Sequence, residues 1–261
     1  MADIQIGIIG GTRGMGKWFA DFLKKQGYPV HVSGRTAGMG LAEMAASCQV
    51  VVVSVPIGTT LEIIAQIGPL LPEEALLMDL TSVKVEPLKA MLHHTRAEVI
   101  GCHPLFGPQL TTAEQQHVVL CPGRAKKWYP WLKDLWTRGG ALLVETTPDE
   151  HDELMSIVQG MNHCNTILMG LTLSKTSAPL AQLDRFTTPF FDMKAGMVKK
   201  IFSDNPRLYA EIICHNPKMK QMLDLYEKEL AELKSHLAQG DAAGLTALLE
   251  RAAQRLWPAG D

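Results

Sequence analysis

The chain has 261 residues, of which 46% are hydrophobic and 20% charged, and its formal net charge is −2. That length allows one large domain or two modest ones, and the near-neutral balance argues against the basic surface of a nucleic-acid or membrane binder. The cysteines (Cys48, Cys102, Cys121, Cys164 and Cys214) are odd in number and lack a CxxC pair, which suits reduced thiols in a cytoplasmic protein better than a disulfide framework.

In chain order, the opening run MADIQIGIIGG lacks the basic start and long apolar core of a signal peptide, and no later run is long enough to span a membrane. Short apolar runs at 4–9, 30–33, 50–55, 75–80, 98–102, 117–121 and 141–145 read as strands. The early ones are continuously apolar rather than alternating, as expected of strands covered on both faces. Between them, 17–26, 59–71, 85–94 and 126–136 carry the spacing of amphipathic helices. This alternation predicts right-handed crossovers and a Rossmann-like, mainly parallel sheet.

The pattern changes at Thr146-Thr147-Pro148-Asp149. Strand signals stop, and 149–173 reads as one long helix entered through Thr146 or Thr147 as N-cap. Further helices are expected near 191–203 and 206–214. In the tail, Leu223, Tyr226, Leu230, Leu233 and Leu237 form one stripe, Gln239-Gly240-Asp241 breaks it, and Leu245, Leu249, Ala252 and Leu256 form a second. Stripes this short read as packing faces rather than as a coiled coil. The expected class is α/β: a dinucleotide-binding, Rossmann-like domain over 1–147, followed by an all-helical C-terminal domain over 148–261.

Gly10-Gly11-Thr12-Arg13-Gly14-Met15-Gly16 lies between the first strand and the first helix. Glycines there permit a tight turn and let backbone N–H groups approach a diphosphate. The match to GxGxxG is imperfect, because Arg13 stands at the second glycine if Gly11 and Gly16 are the first and third. A lone glycine-rich turn is weak evidence, and its place at the start of a doubly wound pattern is what strengthens it. The second strand ends in Val32-Ser33-Gly34-Arg35-Thr36, without the acid that NAD-binding proteins set against the ribose 2′-hydroxyl. Ser33 and Arg35 suit a 2′-phosphate, with Arg13 nearby to assist; the plainer reading of Arg35 is a solvated surface arginine. NADP is therefore expected over NAD. Two more segments leave strands at the same expected edge: Asp79-Leu80-Thr81-Ser82-Val83-Lys84 and Gly101-Cys102-His103-Pro104-Leu105-Phe106-Gly107-Pro108. The proline and glycines around His103 predict a turn, and a histidine before proline is, taken alone, usually a loop residue.

Together, GGTxGxG, SVPI (Ser54, Val55, Pro56 and Ile57), DLTSVK and GCHPLFGP resemble the prephenate/arogenate (cyclohexadienyl) dehydrogenase family of tyrosine biosynthesis. The likeness continues through Glu150-His151-Asp152, Gln159 and His163, and Asn205-Pro206-Arg207-Leu208-Tyr209-Ala210. It implies an oxidoreductase that uses NADP to decarboxylate prephenate oxidatively to 4-hydroxyphenylpyruvate, with arogenate as the alternative substrate. It also implies that His103 receives the proton of the substrate hydroxyl and that Ser82 orients His103 and touches the substrate. Ser54, Val55 and Pro56 then lie beside the cofactor, and Gln159 and His163 in the substrate pocket. Many relatives hold a substrate carboxylate with an arginine where this chain has Lys200, beside Lys199. Lysine cannot reproduce a bidentate fork, so either the binding geometry differs or the substrate is not quite prephenate. Asp149, Glu150 and Asp152 fit a helix dipole better than a metal site, and no metal is expected. The family implies a homodimer through the helical half, with which the leucine stripes are compatible.

Two rivals remain. A short-chain dehydrogenase would share the glycine loop but needs a Tyr-x-x-x-Lys pair. A non-catalytic NADP-sensing protein would give Ser82 and His103 no purpose. At this length neither a fused chorismate mutase nor a separate amino-acid-sensing domain is expected, so any inhibition by tyrosine would act at the active site.

Overall fold

Val50–Val53 is a run of four valines, all fully buried, which is the mark of a central strand covered on both faces. The computed structural model describes residues 4–258. Its strands are β1 (Ile6–Ile9), β2 (Val30–Ser33), β3 (Val50–Val53), β4 (Leu76–Asp79), β5 (Glu98–Pro104), β6 (His117–Pro122) and β7 (Leu142–Glu145). They form one sheet in the order β2-β1-β3-β4-β5-β6-β7. β2, β1, β3, β4 and β5 pair in parallel, β6 runs antiparallel to β5, and β7 is parallel to β6.

The helices of this part are α1 (Gly14–Lys25), α2 (Leu41–Ser47), α3 (Ile57–Ile67), α4 (Val85–His94) and α5 (Trp128–Arg138). Alternate residues of a strand face opposite sides, so the sheet sorts its own core into two layers. Ile6, Ile8, Val50, Val52 and Met78 meet Phe19 and Leu23 of α1 and Leu132 and Trp136 of α5. On the other face, Val51, Val53 and Leu77 meet Met44 of α2, Ile64 of α3 and Met91 of α4. The chain leaves β1 for β2 on one side and reaches β3 on the other, so the winding direction reverses between β1 and β3. Ligands of open α/β sheets bind outside the carboxyl ends of strands at such a reversal.

From Pro148 onward the chain is helical. It contains α6 (Pro148–Met155), a π turn at Ser156–Met161, α7 (Asn162–Leu173), the short α8 (Leu180–Leu183), α9 (Pro189–Lys199), a second π turn at Lys200–Asp204 and α10 (Pro206–His215). The helix expected over 149–173 is thus one helical stretch with a π turn inside it, and that expected over 191–203 also ends in a π turn. A π turn adds a residue to one turn without changing the hydrophobic character of the run, which is why periodicity does not reveal it. α2 was not expected, because it is short and buries only Met44 and Ala45. β5 extends two residues beyond its expected end, so His103 lies in a strand rather than a turn. Its pairing with Val119 of β6 supplies the order that the flanking Pro104 and Gly101 do not suggest.

The described residues divide into two compact units, one ending at Pro217 and the other beginning at Lys218. The second holds α11 (Met219–Gln239) and α12 (Ala242–Leu256). Gly240 ends α11 with a left-handed φ of 61°, which glycine adopts without steric cost, and Asp241 caps α12 by accepting from Gly244 N at 2.8 Å. Leu223, Leu230, Leu233 and Leu237 of the predicted stripe are all exposed.

Candidate active site

The loops after β1 and β3 touch along their backbones. Gly10 has a φ of 87°, and a Cβ there would stand 2.0 Å from the Ser54 carbonyl oxygen. A Cβ on Gly16 would stand 2.5 Å from the Gly10 oxygen, and one on Gly11 would stand 2.7 Å from Val32 Cγ1. Ser54 N in turn donates to Ile9 O at 2.8 Å. Any side chain would push these strands apart, so the glycines keep a narrow cradle at the sheet reversal. Met15 packs against the core behind the cradle, while Thr12, Arg13 and Gly14 face outward. Arg13 is the N-cap of α1 but makes no side-chain capping bond, which leaves the first amides of the helix available to an anion. α3 likewise starts at Pro56 without a side-chain cap, next to Val55. Ser33 is buried at the end of β2 and accepts from Gly10 N at 2.7 Å. Arg35 is exposed, and neither Arg13 nor Arg35 enters an ion pair among the described residues.

β5 carries His103 to the same edge of the sheet, where the residue is only 3% exposed. Its Nδ1 lies 2.9 Å from Nε2 of His151, the two rings meeting edge to face. His151 Nδ1 is 2.7 Å from Asp152 Oδ1. Asp152 also accepts from Lys84 N at 2.8 Å and Val85 N at 3.0 Å, so this residue of α6 caps the start of α4. Asn216 holds the same place by donating to the Asp152 carbonyl at 2.8 Å. Ile57, Val83 and Ile212 close a small apolar cluster beside the turn. Burial drives His103 well below the usual histidine pKa, and the positive charge of Lys84 and the neighbouring His151 push the same way. The ring is therefore neutral at pH 7. Burial also lowers His151, against the opposing hydrogen bond to Asp152.

Beneath this chain lies a fully buried ion pair. Asp79 Oδ2 accepts from Thr81 N at 3.0 Å, from the Thr81 hydroxyl and from the Lys84 ammonium. A Cβ on Gly101 would come within 2.9 Å of Lys84 Cδ, so glycine at that point of β5 makes room for the lysine stem. Ser82 is half-buried in the same turn. The ring partner of His103 among the described residues is His151, not Ser82, which departs from the expected arrangement.

Gln159 sits in the first π turn, with its Oε1 buried and unpartnered. His163 packs its ring edge against Tyr209 at 4.9 Å, and burial lowers its pKa. Lys200 and Lys199, with Gly196, Asp204 and Gln109, line an open cavity of about 400 Å³. The described bonds and ring contacts tie His103 to His151 and His163 to Tyr209, and tie neither to Lys200. No group of three His, Cys, Asp or Glu side chains gathers as a metal site among the described residues. A Tyr-x-x-x-Lys spacing does occur, in Tyr129 and Lys133 of α5. That helix follows β6, whose last residue pairs with Ile100 near the start of β5, so the pair lies at the edge opposite the glycine loop.

Residues 37–145 match the family model for the prephenate dehydrogenase nucleotide-binding domain, and residues 147–251 match that for the prephenate dehydrogenase dimerization domain. The chain belongs to the prephenate dehydrogenase family. It is 32% identical over 271 residues to a probable arogenate/prephenate dehydrogenase of Methanocaldococcus jannaschii, covering 97% of this chain. It is 35% identical over 240 residues to a T-protein of Haemophilus influenzae, covering 92% of this chain. The chain spans 61% and 64% of the length of these two relatives. In fold it is similar to prephenate dehydrogenase from A. aeolicus, solved with hydroxyphenyl propionate and NAD+, at a TM-score of 0.77 with 21% identity and 98% of each chain covered. It is also similar to Synechocystis arogenate dehydrogenase, at a TM-score of 0.73 with 17% identity, covering 97% of this chain and 98% of the other. The nucleotide-binding family match begins at residue 37, after Gly10–Gly16 and Arg35, so the case for the glycines rests on the cradle and that for Arg35 on its free, exposed guanidinium.

His151 and Asp152 are the site residues whose roles sequence reasoning missed. Neighbouring positions on a helix do not face each other, so the spacing of His151 and Asp152 signals no bond between them. The ion pair yields a test. Replacing Lys84 with Met strands the Asp79 charge and is expected to cost about 3–5 kcal/mol in urea unfolding, most of it regained when Asp79→Leu is added.

Proposed function

We propose that this chain is a cytoplasmic homodimeric enzyme that converts prephenate to 4-hydroxyphenylpyruvate and CO2, with NADP as oxidant. Residues 1–147 bind the nucleotide, and residues 148–261 complete the substrate site and pair the two chains. The observation that carries this reading is His103, a buried neutral imidazole at the strand edge onto which the glycine cradle also opens. The similarity to named prephenate and arogenate dehydrogenases supports it.

The cradle fits a pyridine dinucleotide, because its backbones approach too closely for any side chain and the first turn of α1 is uncapped. Gly10, Gly11, Thr12, Arg13, Gly14, Met15 and Gly16 surround the diphosphate, with Ser54, Val55 and Pro56 on the facing loop. Ser33 and Arg35 lie where the adenosine ribose belongs, and the unpaired guanidinium of Arg35 favours the 2′-phosphate of NADP. A bound nicotinamide would supply the hydride acceptor for the ring carbon that bears the hydroxyl.

His103 accepts the hydroxyl proton as that carbon becomes electron-poor. The bond to the ring carboxylate then breaks, its electron pair completes the aromatic ring, and CO2 leaves. The proton returns to oxygen, so the product keeps its hydroxyl. Ser82 borders the reacting hydroxyl, and Gln159 and His163 line the ring. Lys200, with Lys199, supplies positive charge for a substrate carboxylate as a point charge rather than a fork. One observation favours arogenate as the substrate: the buried, unpartnered Oε1 of Gln159 suits an ammonium group, which prephenate lacks. Pairing of the chains is supported by apolar side chains left open on the helical part, among them Phe186 and Phe190 at 79% and 76% exposure. Among the described residues, no helix is long and apolar enough to cross a membrane.

An absorbance assay of nicotinamide reduction, with prephenate or arogenate against NADP or NAD, tests the reading directly. His103→Ala is expected to lower kcat about 10²–10⁴-fold while NADP binding survives; near-normal turnover refutes the role. Arg35→Asp is expected to reverse the measured preference for NADP over NAD, and an unchanged ratio removes the assignment. The pH profile follows from the sign of the His103 shift. The active form is neutral and its pKa is depressed, so kcat/KM should stay level as pH falls through the ordinary value of 6.5 and drop only below it. Half-loss of kcat/KM at or above 6.5 counts against a buried His103 facing His151 and Lys84.

A further inference from the structure

We propose that His151 and Asp152 are positioning residues for the chemical step, and that they act by selecting the ring tautomer of His103. The proposal rests on reading His103 as the acceptor of the substrate hydroxyl and goes further by naming which of its nitrogens accepts.

Asp152 is fully buried, and its two oxygens already receive the amides of Lys84 and Val85. A carboxylate in that position accepts, so the 2.7 Å contact from His151 Nδ1 to Oδ1 places the His151 proton on Nδ1. A neutral His151 then has a bare Nε2. The 2.9 Å contact between that nitrogen and His103 Nδ1 has one possible donor, which is His103. His103 therefore carries its proton on Nδ1, and its Nε2 holds a free lone pair. That nitrogen can accept a proton from the substrate hydroxyl, whereas the other tautomer would present N–H to the hydroxyl and accept nothing.

The direction of the whole chain is set by the peptide amides at the start of α4, because their protons cannot move. His151 transmits this polarity from a carboxylate on α6 to a ring on β5. When His103 takes the hydroxyl proton on Nε2, its Nδ1–H remains bonded to His151, and no proton needs to pass along the chain. A wrong tautomer in an intact catalytic histidine costs orders of magnitude in other enzymes, since geometry survives while the acceptor is lost. His151 and Asp152 need not touch the substrate for their loss to be felt.

The test pairs a spectrum with kinetics on the full chain. In NMR of the histidine side-chain nitrogens at neutral pH, wild-type His103 should be protonated at Nδ1 and bare at Nε2. His151→Leu removes the acceptor and should mix the tautomers of His103, lowering kcat about 10²-fold with KM for NADP unchanged. His151→Gln offers a carbonyl to His103 and an amide to Asp152, and should restore both the single tautomer and most of the rate. A wild-type His103 protonated at Nε2 overturns the proposal. So does a His151→Leu protein that keeps its kcat, or that loses rate with the tautomer of His103 unchanged. If His151→Leu does not fold, the wild-type spectrum and the glutamine variant still decide. If wild type turns over neither prephenate nor arogenate, the reading of the activity fails, and the spectrum still reports the tautomer independently.

Discussion

The Asp152 carboxylate holds the site together. It is fully buried and receives two backbone amides and one imidazole, so its charge is met by hydrogen bonds from three directions. A buried charge without such partners would be strongly destabilising, and the partners would themselves be left unsatisfied if it were removed. The bonds join α6 to the start of α4, residues 67 and 68 positions apart in sequence, and so bring the first helical segment onto the end of the sheet. His103 has its ring held as a consequence. α10 reaches the same place through Asn216 and the contact of Ile212 with Ile57 and Val83.

Around this carboxylate the electrostatics are arranged in pairs. Asp79 and Lys84 neutralise each other in full burial, one turn away from Asp152. The amide of Lys84 faces the Asp152 carboxylate while its ammonium faces Asp79, so one residue serves two acids through different atoms. Burial keeps both histidines below their usual pKa, although at His151 the Asp152 carboxylate opposes the shift. A dry, neutral acceptor suits a reaction in which charge develops on the substrate and water is to be kept away.

The two halves of the site differ in character. The nucleotide side is backbone against backbone, with glycine at each close approach and rigid strands behind it. The proposed substrate side is built from helices, with Lys199 and Lys200 exposed beside an open cavity and with Phe186 and Phe190 also exposed. Such a surface suits a region that meets a second copy of the chain, in keeping with the dimerization-domain match over residues 147–251.

Much of this was legible in the residues themselves. Apolar runs placed the strands, because a strand buried on both faces has no polar residue to interrupt it. The glycine loop, the absence of an acid after β2 and the change to helices at Pro148 are local features with local causes. The π turns, the extension of β5 to Pro104 and the short α2 were not legible, since each depends on what packs against it. The same holds for the site. Sequence alone singled out His103, Ser82 and the glycine loop as parts of one proposed site, because their types and order survive without coordinates. Only the tertiary structure decided that His103 is held by His151 and that Asp152 anchors both. Hydrogen-bond direction depends on which atoms meet across distant segments, and no spacing along the chain records that.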